Sequence, residues 1–172
     1  MANDLIYRFY AELRNYKPKT GRRFEVSAEI TTAQLDRILS VIFDLPHKSR
    51  YCFDIHVEEN FKVCVGEYID NEVNQKALTM FRENPERAFC RIELRTDNDY
   101  TPAGWSEDAE TTVLKNVLTC ENERMTYVCD GRPIDVKLEK ITQNKLPEKG
   151  VPRVTGGNGI DVAQINERLK HC

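Results

Sequence analysis

Leu5, Tyr7, Phe9, Ala11 and Leu13 alternate without a break with Ile6, Arg8, Tyr10 and Glu12. A two-residue period is that of a strand with one buried face. Asn15 to Gly21 carries Pro18 and Gly21 and turns the chain, and Arg22 to Ser27 reads as a second strand, so a hairpin follows. Thr31 or Thr32 then caps a helix in which Leu35, Ile38, Leu39 and Ile42 recur at helical spacing. Asp36 and Arg37 fall on its other side, and Pro46 closes it.

The same reading extends along the chain. Tyr51 to Val57 and Phe61 to Ile69 read as a strand pair joined at Glu58-Glu59-Asn60, and Asp70 or Asn71 caps a helix carrying Val73, Ala77, Met80 and Phe81. Ala88 to Leu94 alternates as a further strand, followed by a polar loop from Thr96 to Asp108 around the only tryptophan, Trp105. Val113, Leu114, Val117 and Leu118 suit a helical turn. Met125 to Cys129 and Ile134 to Ile141 form a pair around the turn dipeptide Asp130-Gly131. The segment from Leu146 to Gly159 is rich in Pro, Lys and Gly, and Asp161 with Gln164 opens a last helix on Val162, Ile165 and Leu169. Strands in runs with helices between them predict an α+β fold, a mainly antiparallel sheet with two or three packed helices. The 172 residues suit one domain, residues 1–145 forming its body and 146–172 a segment and helix packed on it.

The formal charge is −3, which removes the global cationic field of a non-specific DNA binder and makes any nucleic-acid contact local. The start MANDLIYRFY has no leader pattern and no apolar run approaches membrane-spanning length, so the expectation is a soluble cytoplasmic protein with no membrane partner. Six widely spaced cysteines in such a chain argue against a disulfide framework.

Two groups of residues carry candidate chemistry. Arg14, Tyr16, Lys17, Lys19, Arg22 and Arg23 form a basic stretch with no acidic residue among Arg14 to Arg23, suited to an acidic protein face or to phosphates, or to solvation alone. With a three-residue turn at Glu58 to Asn60, Cys52, Asp54 and His56 share a face with Cys64, and Cys90 or Cys129 could complete a four-ligand structural zinc site. A one-residue change of register dissolves that grouping and leaves buried free thiols. His47, His56 and His171 have no context that pairs them with a nucleophile. Asp97, Asp99, Glu107 and Asp108 lack calcium-loop spacing, and Gly156-Gly157-Asn158-Gly159 follows no phosphate-loop pattern.

The run YRFYAELRNYKPKTGRRFEV, then TTAQLDRILSVIFDL, then YCFDI, with the later TVLKNVLTCENERMTYVCDGRPIDVKLEKI, resembles the plasmid pRi open-reading-frame-three-like family, the insertion-element passenger TnpR family. Signature positions depart from it in three places, one of them around Ser49 to Tyr51, where the histidines that usually precede the next strand are replaced. Gly21 stands where the family's PKIWRR loop has an aromatic residue, and Arg132 and Ile134 stand where its YDFGD-x-W-x-H pattern has tryptophan and histidine. The resemblance implies an α+β scaffold travelling on mobile DNA and brings no established chemistry. No serine in an arginine cluster supports a catalytic recombinase. The expectation is therefore a non-enzymatic binding protein of a mobile element or phage, an anti-CRISPR type inhibitor that occupies the surface of a host defence nuclease such as a Cas effector. A protein partner is preferred to nucleic acid. The alternatives are a nucleic-acid-binding accessory factor of transposition and a metal-dependent hydrolase.

Overall fold

The computed structural model describes residues 5–45, 50–56, 60, 89–93, 105–143 and 152–171. Its strands are β1 (Leu5–Leu13), β2 (Gly21–Ser27), β3 (Tyr51–His56), β4 (Phe89–Glu93), β5 (Trp105–Asp108), β6 (Arg124–Cys129), β7 (Arg132–Gln143) and β8 (Arg153–Gly157). Helices α1 (Thr32–Ile42) and α2 (Val162–Leu169) join them, with a 3-10 turn at Leu114–Asn116. The strands form one eight-stranded sheet in the order β5-β4-β3-β6-β7-β1-β2-β8. Neighbours run antiparallel except β4 and β5, which are parallel. The fold is α+β and mainly antiparallel, with two α-helices among the described residues.

Local chemistry sets these elements. The β6–β7 hairpin turns at Asp130 and Gly131, both at positive φ (48° and 81°), the geometry that matches strand twist and that glycine adopts without strain. At α1, Thr31 accepts a hydrogen bond from the Gln34 amide at 3.2 Å while the Gln34 carboxamide accepts from the Thr31 amide at 2.9 Å. This capping box satisfies donors that the first helical turn leaves open. Asp161 caps α2 by accepting from the Gln164 amide at 3.2 Å.

The core fills one side of the sheet. Phe9 and Phe24 on neighbouring strands have ring centroids 5.5 Å apart, and Phe53 and Tyr127 4.9 Å apart. Leu35, Leu39 and Ile42 of α1 and Leu114 and Leu118 close over this side, all fully buried. Burying each of these side chains contributes about 1.5–3 kcal/mol.

Four expectations change here. Asp36 lies on the sheet-facing side of α1, only 6% exposed, where it accepts a 2.5 Å hydrogen bond from the Tyr127 hydroxyl. Both edges of β3 are taken, by β4 and β6, so the strand pair expected around residues 58–60 is replaced by a pairing with β4; residues 61–69, and the helix expected over 73–81, lie outside the described residues. The loop read to Asp108 ends in strand β5, and the tail contains strand β8, which extends the sheet beside β2. Neither short edge strand has a period-2 apolar pattern to betray it.

Candidate functional site

Alternation sends every second residue of β2, β1, β7 and β6 to the side away from the helices. Both described helices, α1 and α2, pack on the other side. Register groups its side chains into rows across the sheet. One row reads Arg23, Tyr10, Lys137 and Arg124, each directly opposite the next. The next reads Glu12, Asp135, Thr126 and Asp54, with Gly21 opposite Glu12. Rows on one face stand about 6.8 Å apart and strands about 4.8 Å apart.

Most of these charges are matched. Arg14, at the end of β1, grips Asp135 at 2.5 Å and donates to the Thr126 hydroxyl at 3.0 Å. A bulge opposite Arg8 and Phe9 places Glu139 between strands, where it accepts from Arg23 at 2.6 Å. The Arg23 guanidinium holds the Glu139 carboxyl below the ordinary carboxylate range, and that bond raises the Arg23 pKa in turn. Arg23 also lies 5.3 Å over the Tyr10 ring, whose hydroxyl donates to Glu12 at 3.0 Å. Tyr10 occupies the space above Gly21 so fully that a Cβ there would stand 2.1 Å from its hydroxyl oxygen.

Lys137 and Arg124 are different. They face each other across β7 and β6, and neither side chain forms an ion pair or hydrogen bond among the described residues. Like charges in directly opposed positions oppose folding. Together with Tyr10, Glu12, Arg14, Thr126 and Asp135 they line a groove of about 500 Å³.

The six residues of the basic stretch separate. Arg14 and Arg23 belong to the charged face. Lys19 meets Glu12 at 3.4 Å and is 75% exposed, and Tyr16 is the exposed large hydrophobic residue of the hairpin turn at 50%. Lys17 is exposed beside it. Arg22 is the correction. It is the second residue of β2, on the helix side and 9% exposed, donating to the Asn158 carbonyl at 3.0 Å with its guanidinium 5.5 Å over Phe43. Strand alternation alone sends it inward while Arg23 goes outward.

The expected zinc ligands do not assemble among the described residues. Cys52 stands opposite Val128 on the charged face, whereas Cys129, opposite Tyr51, is buried on the helix side. Cys90 pairs in register with Ile55 and His56 with Phe89; Cys64 lies outside the described residues. No group of three or more His, Cys, Asp or Glu among the described residues is placed to hold a metal. On the helix side, burial and the bond to Asp36 push the Tyr127 hydroxyl far above its usual pKa, as burial does for Tyr51. These tyrosines are held protonated and serve packing.

Sequence reading missed Lys137, Arg124, Asp135 and Thr126. Their only signal was the register of β1, β7 and β6, since each alone is an ordinary polar strand residue.

A sheet with helices packed on one side and unlike charges set in rows on the other defines, among the described residues, an α+β scaffold with a charged sheet face. The chain belongs to the family described as plasmid pRiA4b ORF-3-like protein, whose profile matches residues 5–164. Among solved structures it is similar to a protein of unknown function, MM3350, from Methanosarcina mazei Go1, with 18% identity and a TM-score of 0.63 over 91% of this chain and 70% of that one. That likeness concerns the fold. No curated protein matches the chain.

Proposed function

We propose that this is a non-enzymatic binding protein that engages a protein partner through the charged face of its sheet and the adjoining Tyr16–Lys19 turn. The observation that carries the reading is the opposed pair Lys137 and Arg124, two cations that form no ion pair or hydrogen bond among the described residues, in a groove whose Arg14, Glu12 and Asp135 are each matched. Charge retained against folding stability is what a recognition surface holds. The plasmid setting of the family supports a mobile-element role. Within it, occupation of a host defence nuclease of the Cas type is the narrower form of the proposal. A metal-dependent hydrolase finds no support in the described residues' grouping.

The competing accessory role in transposition is separated by fluorescence anisotropy on a random DNA duplex at physiological salt. The expected result is no sub-micromolar binding, in keeping with a net charge of −3. Tight binding with a steep salt dependence would replace the protein-partner reading with the nucleic-acid one.

A further inference from the structure

We infer that Arg22 anchors an oxyanion site on the helix side of the sheet, one that takes a carboxylate or a phosphate group beside the turn that follows β8. Its Nη1 donates to the Gly21 carbonyl at 2.9 Å and to the Asn158 carbonyl at 3.0 Å, so that nitrogen is fully used. The other edge of the guanidinium is not. Nε is buried with no hydrogen-bond partner, and Nη2 forms no hydrogen bond or ion pair among the described residues. Three other arginines show what that edge does when an oxyanion is in reach. Arg14 directs Nε and Nη2 at Asp135, at 3.2 and 2.5 Å, and Arg23 directs the same pair at Glu139, at 2.6 and 3.2 Å. Arg153 does so at Glu25, at 2.8 and 2.7 Å. The Nε of Arg8, also without a hydrogen bond, still lies 3.8 Å from the Glu139 carboxylate. Arg22 alone of these presents the edge to no carboxylate among the described residues, and it does so from a position only 9% exposed.

Burial makes that edge consequential. A cation withdrawn from water without a counter-charge is costly, and desolvation holds the Arg22 pKa below the ordinary arginine value with no acidic group raising it. The Phe43 ring, 5.5 Å from the guanidinium carbon, offsets part of the cost. Two parallel N–H groups aimed the same way match the two oxygens of a carboxylate or phosphate. The surroundings hold those groups in place. A Cβ on Gly157 would stand 3.0 Å from the Arg22 Cδ, so the turn after β8 presses on the arginine stem, and the Asn158 carboxamide fixes the turn by accepting from the Gly21 amide at 3.0 Å. An incoming anion therefore loses little to ordering its receptor. The Gly156-Gly157-Asn158-Gly159 string thus holds the arginine that binds the anion and does not wrap the anion itself.

The test is an NMR titration of the full chain in which formate or inorganic phosphate replaces chloride at constant ionic strength, read at the arginine Nε–Hε resonances and paired with thermal denaturation. The expected result is that the Arg22 resonance shifts and saturates with a half-point on the order of 10 mM, at least about tenfold lower than for Arg14, Arg23 and Arg153, whose edges are taken. The melting temperature should rise with the same half-point. A response to formate alone identifies a carboxylate site, and a response to both anions one that also admits a phosphate group. Arg22→Met, which removes the buried cation, should be at least as stable as the parent in chloride and should lose the anion-dependent rise. Arg22→Lys, which keeps the charge without the paired nitrogens, should lose most of it. An Arg22 resonance unmoved by either anion up to about 100 mM would overturn the inference, whatever the variants do. So would a shift no greater than that of Arg23, or a rise in melting temperature that persists in Arg22→Met. None of these results bears on the charged face, which lies on the other side of the sheet.

Discussion

Phe9 and Tyr10 are neighbours in β1, yet they answer to different constraints. Phe9 is fully buried against Phe24 and beneath α1, where shape and apolarity decide what can stand. Tyr10 lies half-buried on the other face, braced by Arg23 and Glu12 over a glycine that leaves it room. Behind Phe9 the one buried carboxylate of α1, Asp36, has a short bond to Tyr127; in front of Tyr10, Lys137 and Arg124 stand opposed and form no ion pair or hydrogen bond among the described residues. The helix side gives its buried carboxylate a donor, and the charged side sets two like charges opposite each other. That asymmetry is the ground on which we propose the charged side as the recognition face.

The contrast is sharpest by substitution. Phe9→Ala should lose about 3–5 kcal/mol by urea denaturation, as expected of a fully buried aromatic. A loss below about 1 kcal/mol would mean the helix side is not the packed one. Tyr127→Phe comes next, with an expected loss of about 1–3 kcal/mol, because a buried carboxylate gives up one of its donors. It also has a pH signature. The folded Tyr127 pKa lies above the ordinary tyrosine value of 10.0, so its contribution is intact below pH 10 and is lost as pH rises from there towards the folded value. Tyr127→Phe should flatten the fall of stability above pH 10; an unchanged alkaline slope would contradict the assignment.

On the charged face the effects shrink. Gly21→Ala should displace the Tyr10 ring and cost about 1 kcal/mol, and the cost should largely vanish in a Tyr10→Ser background. Additive losses in the double variant would show that the glycine serves the backbone instead. Glu139, whose carboxyl Arg23 holds low, contributes stability that is present above the unfolded carboxylate range and lost as pH falls through its own lowered value. Glu139→Gln should remove that acid-side slope at a cost of about 0.2–1 kcal/mol at neutral pH, the ordinary scale of an exposed pair.

How much of this could be read in the chain follows from where each constraint acts. The β1 alternation, the Thr31 cap and the Asp130-Gly131 turn are local, so composition and spacing reveal them. β8 is legible only through partners distant in sequence: its Val154 amide and carbonyl are bonded by the Asn166 carboxamide of α2, at 2.7 and 3.1 Å. Asp36 is missed because helical spacing places it beside the apolar stripe, and the donor that makes its burial tolerable is 91 residues away. Arg22 and Arg23 look alike until alternation assigns one to each side. The groove itself is a product of three strands in register and has no linear motif.

A double-mutant cycle on Lys137→Gln and Arg124→Gln, followed by urea denaturation at low salt, tests most directly whether the charged face is held for binding at the expense of folding. Each single variant should be at least as stable as the parent, and the cycle should show a repulsive coupling of about 0.2–1 kcal/mol that salt diminishes. Losses of more than about 1 kcal/mol in both single variants would show that the two cations support the fold, and would contradict the assignment of this face to recognition.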